Sequence, residues 1–188
     1  MTDVPTTPPL PEVPPELLAN LQALRIKAHE VFGRIVIALM AVPRYKHLSL
    51  ADLQPLVLDP LVSDRIMFAQ AKAADGKPDE NAPVGIAIWA SVSPEVNAKL
   101  KEQIAARVFP LRLQQKDWNS GSINWLLDVI APNPALTEGA VGTFLMLKAD
   151  EERHIHPAII ALLPPDAPKR LGLAPIADRA MSEKGASA

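Results

Sequence analysis

Proline sets most of what this chain can fold into. It fixes its own backbone angle and offers no amide donor, so it decides where helices begin and where they stop. Six of the 20 prolines fall within the first 15 of the 188 residues. Pro5, Pro8, Pro9, Pro11, Pro14 and Pro15 therefore predict an extended arm over residues 1–15, with no core of its own. At the other end Pro164, Pro165, Pro168 and Pro175, then Gly185-Ala186-Ser187-Ala188, predict a flexible tail over 164–188. One domain is left between them, over 16–163.

Inside that domain the apolar spacing reads as mixed structure. Leu17, Leu21, Leu24, Ala28, Val31, Ile35 and Leu39 recur at three- and four-residue steps, which predicts an amphipathic helix started by Pro15 and stopped before Pro43. Ser49-Leu50-Ala51-Asp52 has the form of a capping box opening a short helix that Pro55 limits. Arg65–Ala71 and Val84–Ser91 read as strands joined by a polar loop with Asp75-Gly76 and Pro78. Ser93-Pro94-Glu95 is a strong helix start, and Val96, Leu100, Ile104 and Val108 follow as one apolar face. Asp117-Trp118-Asn119-Ser120-Gly121 predicts a turn. Ile123–Ala131 is the clearest strand. Strict alternation puts Trp125, Leu127 and Val129 on one face, and Asn124, Leu126, Asp128 and Ile130 on the other. Asn133-Pro134 starts a helix to about Lys148, and His154–Leu163 reads as a last strand. The sum is an α+β fold with a small sheet flanked by helices.

Composition narrows the function. Lys plus Arg is 19 against 21 for Asp plus Glu, without the basic excess of a nucleic-acid protein. The chain has no cysteine, which excludes disulfides, thiolate metal sites and cysteine nucleophiles. Met1-Thr2-Asp3-Val4-Pro5 does not resemble a signal peptide, and Ile35–Pro43 is too short to span a bilayer. A cytoplasmic location is expected. No Gly-x-Ser-x-Gly, Walker loop or dinucleotide fingerprint occurs.

Asp128 is the most conspicuous residue, a carboxylate in mid-strand between apolar neighbours. It must be paired, neutralised or on a wet face. Of the four histidines, His29 lies on the first helix, and His154 and His156 share a strand face without a third ligand, so no metal site is expected. His47 follows Pro43-Arg44-Tyr45-Lys46 in a polar break between helices, where functional loops tend to lie.

Three stretches together resemble the toxin-activating lysine acyltransferases. They are Gly85-Ile86-Ala87-Ile88-Trp89-Ala90-Ser91-Val92-Ser93, then Asp117-Trp118-Asn119-Ser120-Gly121, then Trp125-Leu126-Leu127-Asp128-Val129-Ile130-Ala131-Pro132. Order and spacing agree from about Leu39 to Pro132. The resemblance implies a fold similar to GNAT acetyltransferases, and transfer of a fatty acyl group from acyl carrier protein to internal lysines of an RTX protoxin, with no bound cofactor. It also implies a catalytic histidine–aspartate pair, carried over here as His47 and Asp128. His47 stands four residues after Pro43 where the family has two, Tyr45 holds the aligned place, and Val42 stands where the family has serine.

On this basis His47 is expected to be the general base and Asp128 its orienter, the reverse assignment and an acyl-histidine staying open. The His47 ring should reach the Asp128 carboxylate on the face of Leu126 and Ile130. Backbone amides near Trp89–Ser91 are candidates to hold the oxyanion. Arg44, Lys46, Arg107, Arg112 and Lys116 are candidates to receive the acidic carrier. The GNAT pyrophosphate motif is missing, which fits a carrier-protein donor better than coenzyme A. The rivals are a non-catalytic binding or chaperone protein on the same scaffold and a small-amine acetyltransferase. A homodimer is left open.

Overall fold

The computed structural model describes residues 14–70 and 84–173. The arm before Pro14, the Asp75-Gly76 and Pro78 loop, and everything from Ala174 onward lie outside the described residues. Helix α1 (Pro15–Ala41) begins at the proline pair as expected and ends as the chain meets Pro43. Only its second half packs, through Val31, Ile35 and Leu39; Pro15–Glu30 is exposed, with Leu17, Leu18, Leu21 and Leu24 all facing solvent.

Two short turns follow, a 3-10 turn at Pro43–Tyr45 and another at Leu50–Asp52, the second held by the Ser49–Asp52 box. Pro55 does not end the helical path. It sits in the first turn of Gln54–Leu58, where its missing amide costs nothing, and the path runs on into α2 (Asp59–Val62).

The sheet has the order β1-β2-β3-β4. β1 (Ile66–Gln70) pairs antiparallel with β2 (Val84–Val92), and β2 antiparallel with β3 (Ile123–Ile130). Between them comes α3 (Pro94–Ala105), capped by Ser93, whose hydroxyl accepts the Val96 amide at 3.4 Å. α4 (Pro134–Leu147) opens on Asn133, which accepts the Leu136 amide at 2.9 Å. β4 (Arg153–Ile155) then pairs parallel with β3 from Asn124 to Leu126.

The last strand is far shorter than the expected His154–Leu163. Pro157 cannot donate to a ladder, so the chain leaves the sheet at His156 and turns into α5 (Pro157–Ile160). Beyond Pro164 the chain adds to the body: Ala167, in α6 (Ala167–Arg170), and Leu173 are buried, and Arg170 holds Glu138 of α4 through both carboxylate oxygens.

The sheet separates two cores. On one face α1, the turns after it and α3 bury Ile35, Leu39, Tyr45, Val57, Ile88 and Leu100. On the other, α4 and the C-terminal turns bury Val129, Val141, Phe144, Ile155 and Ile159.

Strict alternation along β3 fails at one point. Ile88 pairs with Asp128 and Trp89 with Leu126, so Leu127 is an extra residue with no partner on β2. Such a β-bulge reverses the phase of every side chain beyond it. Trp125, Leu127 and Ile130 thus belong to the α1 core, whereas Leu126 and Val129 belong to the α4 core. Asp128 shares its face with Ile130, as expected, but not with Leu126.

The Asp117–Gly121 turn welds β2 to β3. The Ser91 amide donates to the Trp118 carbonyl at 3.1 Å, and the Ser120 and Gly121 amides return to the Ser91 carbonyl at 2.8 and 3.2 Å. This close approach requires glycine, since a Cβ at Gly121 would lie 2.5 Å from the Val92 carbonyl oxygen. Gly139 in α4 has open space around it. Gly121→Ala is therefore expected to cost about 1–3 kcal/mol by overpacking, and Gly139→Ala to add about 0.5–1 kcal/mol. Urea denaturation of the two variants beside wild type checks both signs.

Candidate active site

The bulge delivers the Asp128 carboxylate, buried, to the sheet face covered by the end of α1. Three donors meet it there. Arg44 Nη2 donates to Oδ1 at 2.7 Å, the Val129 amide to the same oxygen at 2.8 Å, and the Tyr45 hydroxyl to Oδ2 at 2.9 Å. The same Arg44 nitrogen also lies against the Tyr45 hydroxyl and the Val129 carbonyl, its two hydrogens shared among the three oxygens, and its guanidinium lies 4.5 Å from the centre of the Tyr45 ring. Burial, and next the negative charge of Asp128, push the Tyr45 hydroxyl far above its ordinary range. It therefore stays protonated and acts as a donor.

The turn geometry decides which side chains reach the carboxylate. In a 3-10 turn, side chains three apart eclipse, so Tyr45 and Leu48 point inward together while Lys46 and His47 point out. The direct contact expected between His47 and Asp128 is not made. His47 is exposed, no hydrogen bond joins the two, and Tyr45 holds the place. The residues after Pro43 do not bulge, because each is tied into successive turns: the Tyr45, Lys46 and Leu48 amides donate to Val42, Pro43 and Tyr45 carbonyls.

The structure also redistributes the other candidates. Arg44 is turned inward onto Asp128, away from a carrier-binding role; Lys46, Arg107, Arg112 and Lys116 are exposed. The Trp89 and Ser91 amides already donate to the Arg65 and Trp118 carbonyls at 3.0 and 3.1 Å, so they are not free to hold an oxyanion. Trp89 itself is flanked by two cations, Arg65 at 4.4 Å and Lys148 at 4.8 Å from the ring centre. His154 stacks on Trp125 at 4.7 Å and its Nε2 meets Glu152 at 2.9 Å. Among the described residues no group of three or more metal-ligating side chains forms.

His156 is the residue the sequence undervalued. β4 pairs His154 with Trp125, so His156, two residues on, lies on the same sheet face as Leu127 and Asp128. Its amide donates to the Leu126 carbonyl at 2.9 Å, the last rung before the strands part. The half-buried ring feels the charges of both Asp128 and Arg44. Pro157 directly after it was the available signal, since a proline there ends the strand and leaves His156 at its tip.

The site is thus a buried aspartate next to a bulge in the central strand β3, met by the turn after α1, with His156 on the same face of the sheet. The chain matches the model of the RTX toxin acyltransferase family over residues 24–148, about two thirds of its length. It belongs to that family. No curated protein matches it significantly. No helix among the described residues is long and apolar enough to cross a membrane.

Burial, the largest influence, holds the His156 imidazole below its ordinary range; Asp128 opposes this and Arg44 adds to it. Below about pH 6.5 the unfolded chain then binds more protons at this residue than the folded one. The stability it contributes is full above that pH and drains away as pH falls toward the lowered folded value. Melting temperatures of wild type and His156→Asn, compared between about pH 8 and about pH 5, should show the smaller acid loss in the variant.

Proposed function

We propose that the protein is a lysine N-acyltransferase that moves a fatty acyl group from acyl carrier protein to internal lysines of an RTX-type protoxin in the cytoplasm. Family membership over residues 24–148 carries this reading. The carrier-protein donor is supported by the missing glycine cradle that a pyrophosphate would need, and by exposed Lys46, Arg107, Arg112 and Lys116, which suit an acidic carrier.

The chemistry asks for a base and for something to hold it in place. A lysine amine with an ordinary pKa near 10.4 must lose a proton before it attacks a thioester. In this reading His47 takes that proton as general base. Asp128 is a positioning residue. It holds Arg44 and Tyr45, and through them the turn from which His47 projects. The amine nitrogen bonds to the carbonyl carbon, the C–S bond breaks, and the proton passes on to the carrier's thiolate.

One observation favours a second reading, a non-catalytic binding protein on the same scaffold. The Asp128 carboxylate is occupied by a hydroxyl and a guanidinium, and no imidazole bonds to it among the described residues.

The readings separate in a transfer assay with acyl carrier protein and coenzyme A thioesters of one fatty acid, a recombinant RTX protoxin as acceptor, and peptide mass spectrometry to find the acylated residues. Transfer to lysine from the carrier thioester is expected. His47→Ala should lower it by about 10²-fold or more. Asp128→Asn and Tyr45→Phe should each lower it, and their double variant should lose little more than the worse single. Protoxin bound but never acylated would replace the enzyme by the binding protein, and equal use of coenzyme A would remove the carrier from the proposal.

A further inference from the structure

The Trp89 and Ser91 amides, expected to hold the oxyanion, already donate to the Arg65 and Trp118 carbonyls, so the acyl-transfer reading calls for another donor to the thioester oxygen. The open end of the β3–β4 pair supplies one. These parallel strands are paired only from Asn124 to Leu126; β4 then leaves at His156, while β3 continues to Ile130. The parting strands open a wedge beside the bulge, with Asp128 on β3 and the His156 ring at the tip of β4.

The ring is held in a defined tautomer. Its Nδ1 accepts the Ala158 amide at 3.1 Å, so in the neutral imidazole the proton sits on Nε2. Among the described residues no hydrogen bond uses that Nε2. A ring fixed this way cannot take a proton at Nε2, and so is a donor rather than a base. Burial favours its uncharged form, and a neutral imidazole with a backbone amide on its far nitrogen can polarise a carbonyl. His156 also lies beyond residues 24–148, the segment that the family model matches.

We propose that His156 is a further catalytic residue of the acyl-transfer site, donating its Nε2–H to the thioester carbonyl oxygen at the open end of the β3–β4 pair. This rests on the acyltransferase reading above. As the lysine nitrogen bonds to the carbonyl carbon, the C=O π pair moves to oxygen, and His156 holds the oxyanion that results. The pair returns as the C–S bond breaks and the sulfur leaves as thiolate. His156 neither gains nor loses a proton; the amine proton travels by the base to that thiolate.

Two substitutions divide the ring's two nitrogens. His156→Asn puts an oxygen near Nδ1, keeps the bond from Ala158 and removes the distant donor. His156→Gln puts an amide N–H near Nε2. With myristoyl–acyl carrier protein as donor and a recombinant RTX protoxin as acceptor, the full-length Asn variant should lose about 10²–10³-fold in kcat with KM little changed, and the Gln variant should keep more activity than the Asn variant. Nitrogen-15 NMR of the imidazole in the wild-type protein should show the proton on Nε2 and a bare Nδ1 at neutral pH. An Asn variant as fast as an active wild type, or a proton found on Nδ1, overturns the donor and leaves the acyltransferase intact. A wild type that acylates nothing overturns the acyltransferase and the donor with it.

Discussion

Leu127 has no partner on β2, and the architecture of the site depends on that extra residue. Without it, simple alternation would turn Asp128 toward α4, where Val141 and Phe144 are fully buried and the helix offers apolar side chains. A carboxylate there would be desolvated without a partner, at a cost of several kcal/mol. The bulge turns it instead toward the end of α1, where a guanidinium and a phenol meet it. It also lets Ile130 complete the α1 core and Val129 the α4 core, so one irregularity serves the packing and the polar cluster alike.

The cluster is a set of hydrogen bonds between one carboxylate and the turn and strand around it. Asp128 accepts three hydrogen bonds, from Arg44, Tyr45 and the Val129 amide. Two of these bonds come from the turn after α1, so the carboxylate ties that turn to β3. Arg44 bridges the turn to the β3 backbone through the Val129 carbonyl, tying loop and strand together at their closest approach. The imidazoles of His47 and His156 lie on either side of this anchor in sequence and differ in setting, one exposed and one half-buried.

Much of this was legible from residue types with strong local rules. Pro15 and Pro43 bracketed α1, Ser93-Pro94 and Asn133-Pro134 marked helix starts, and Val84–Ser91 and Ile123–Ala131 read as strands, which the sheet pairs as neighbours. Asp128 stood out because a mid-strand carboxylate is costly. The failures share a cause. Periodicity assumes an unbroken ladder, and nothing in Leu126-Leu127-Asp128 announces a bulge that is fixed by pairing with β2. The apolar run after Pro157 looked like strand because short apolar segments do not distinguish strand from helix. Which side chain of Pro43–Leu48 faces the carboxylate was decided by the three-residue turn, not by spacing along the chain.

α1 is two materials joined end to end. Opening it at Ile35 or Leu39 breaks the core, so those amides share the fate of the whole domain. The exposed stretch from Pro15 to Glu30, about 24 Å long at 1.5 Å per residue, has no tertiary packing and no side-chain cap among the described residues. Most helical stability in proteins comes from packing of one face, which this stretch does not have among the described residues. Its order is borrowed from the packed end, one turn templating the next. Fraying from Pro15 inward therefore costs little at each step, and amide protection should fall away gradually toward the N-terminus, recording along a single helix where the cooperative domain ends.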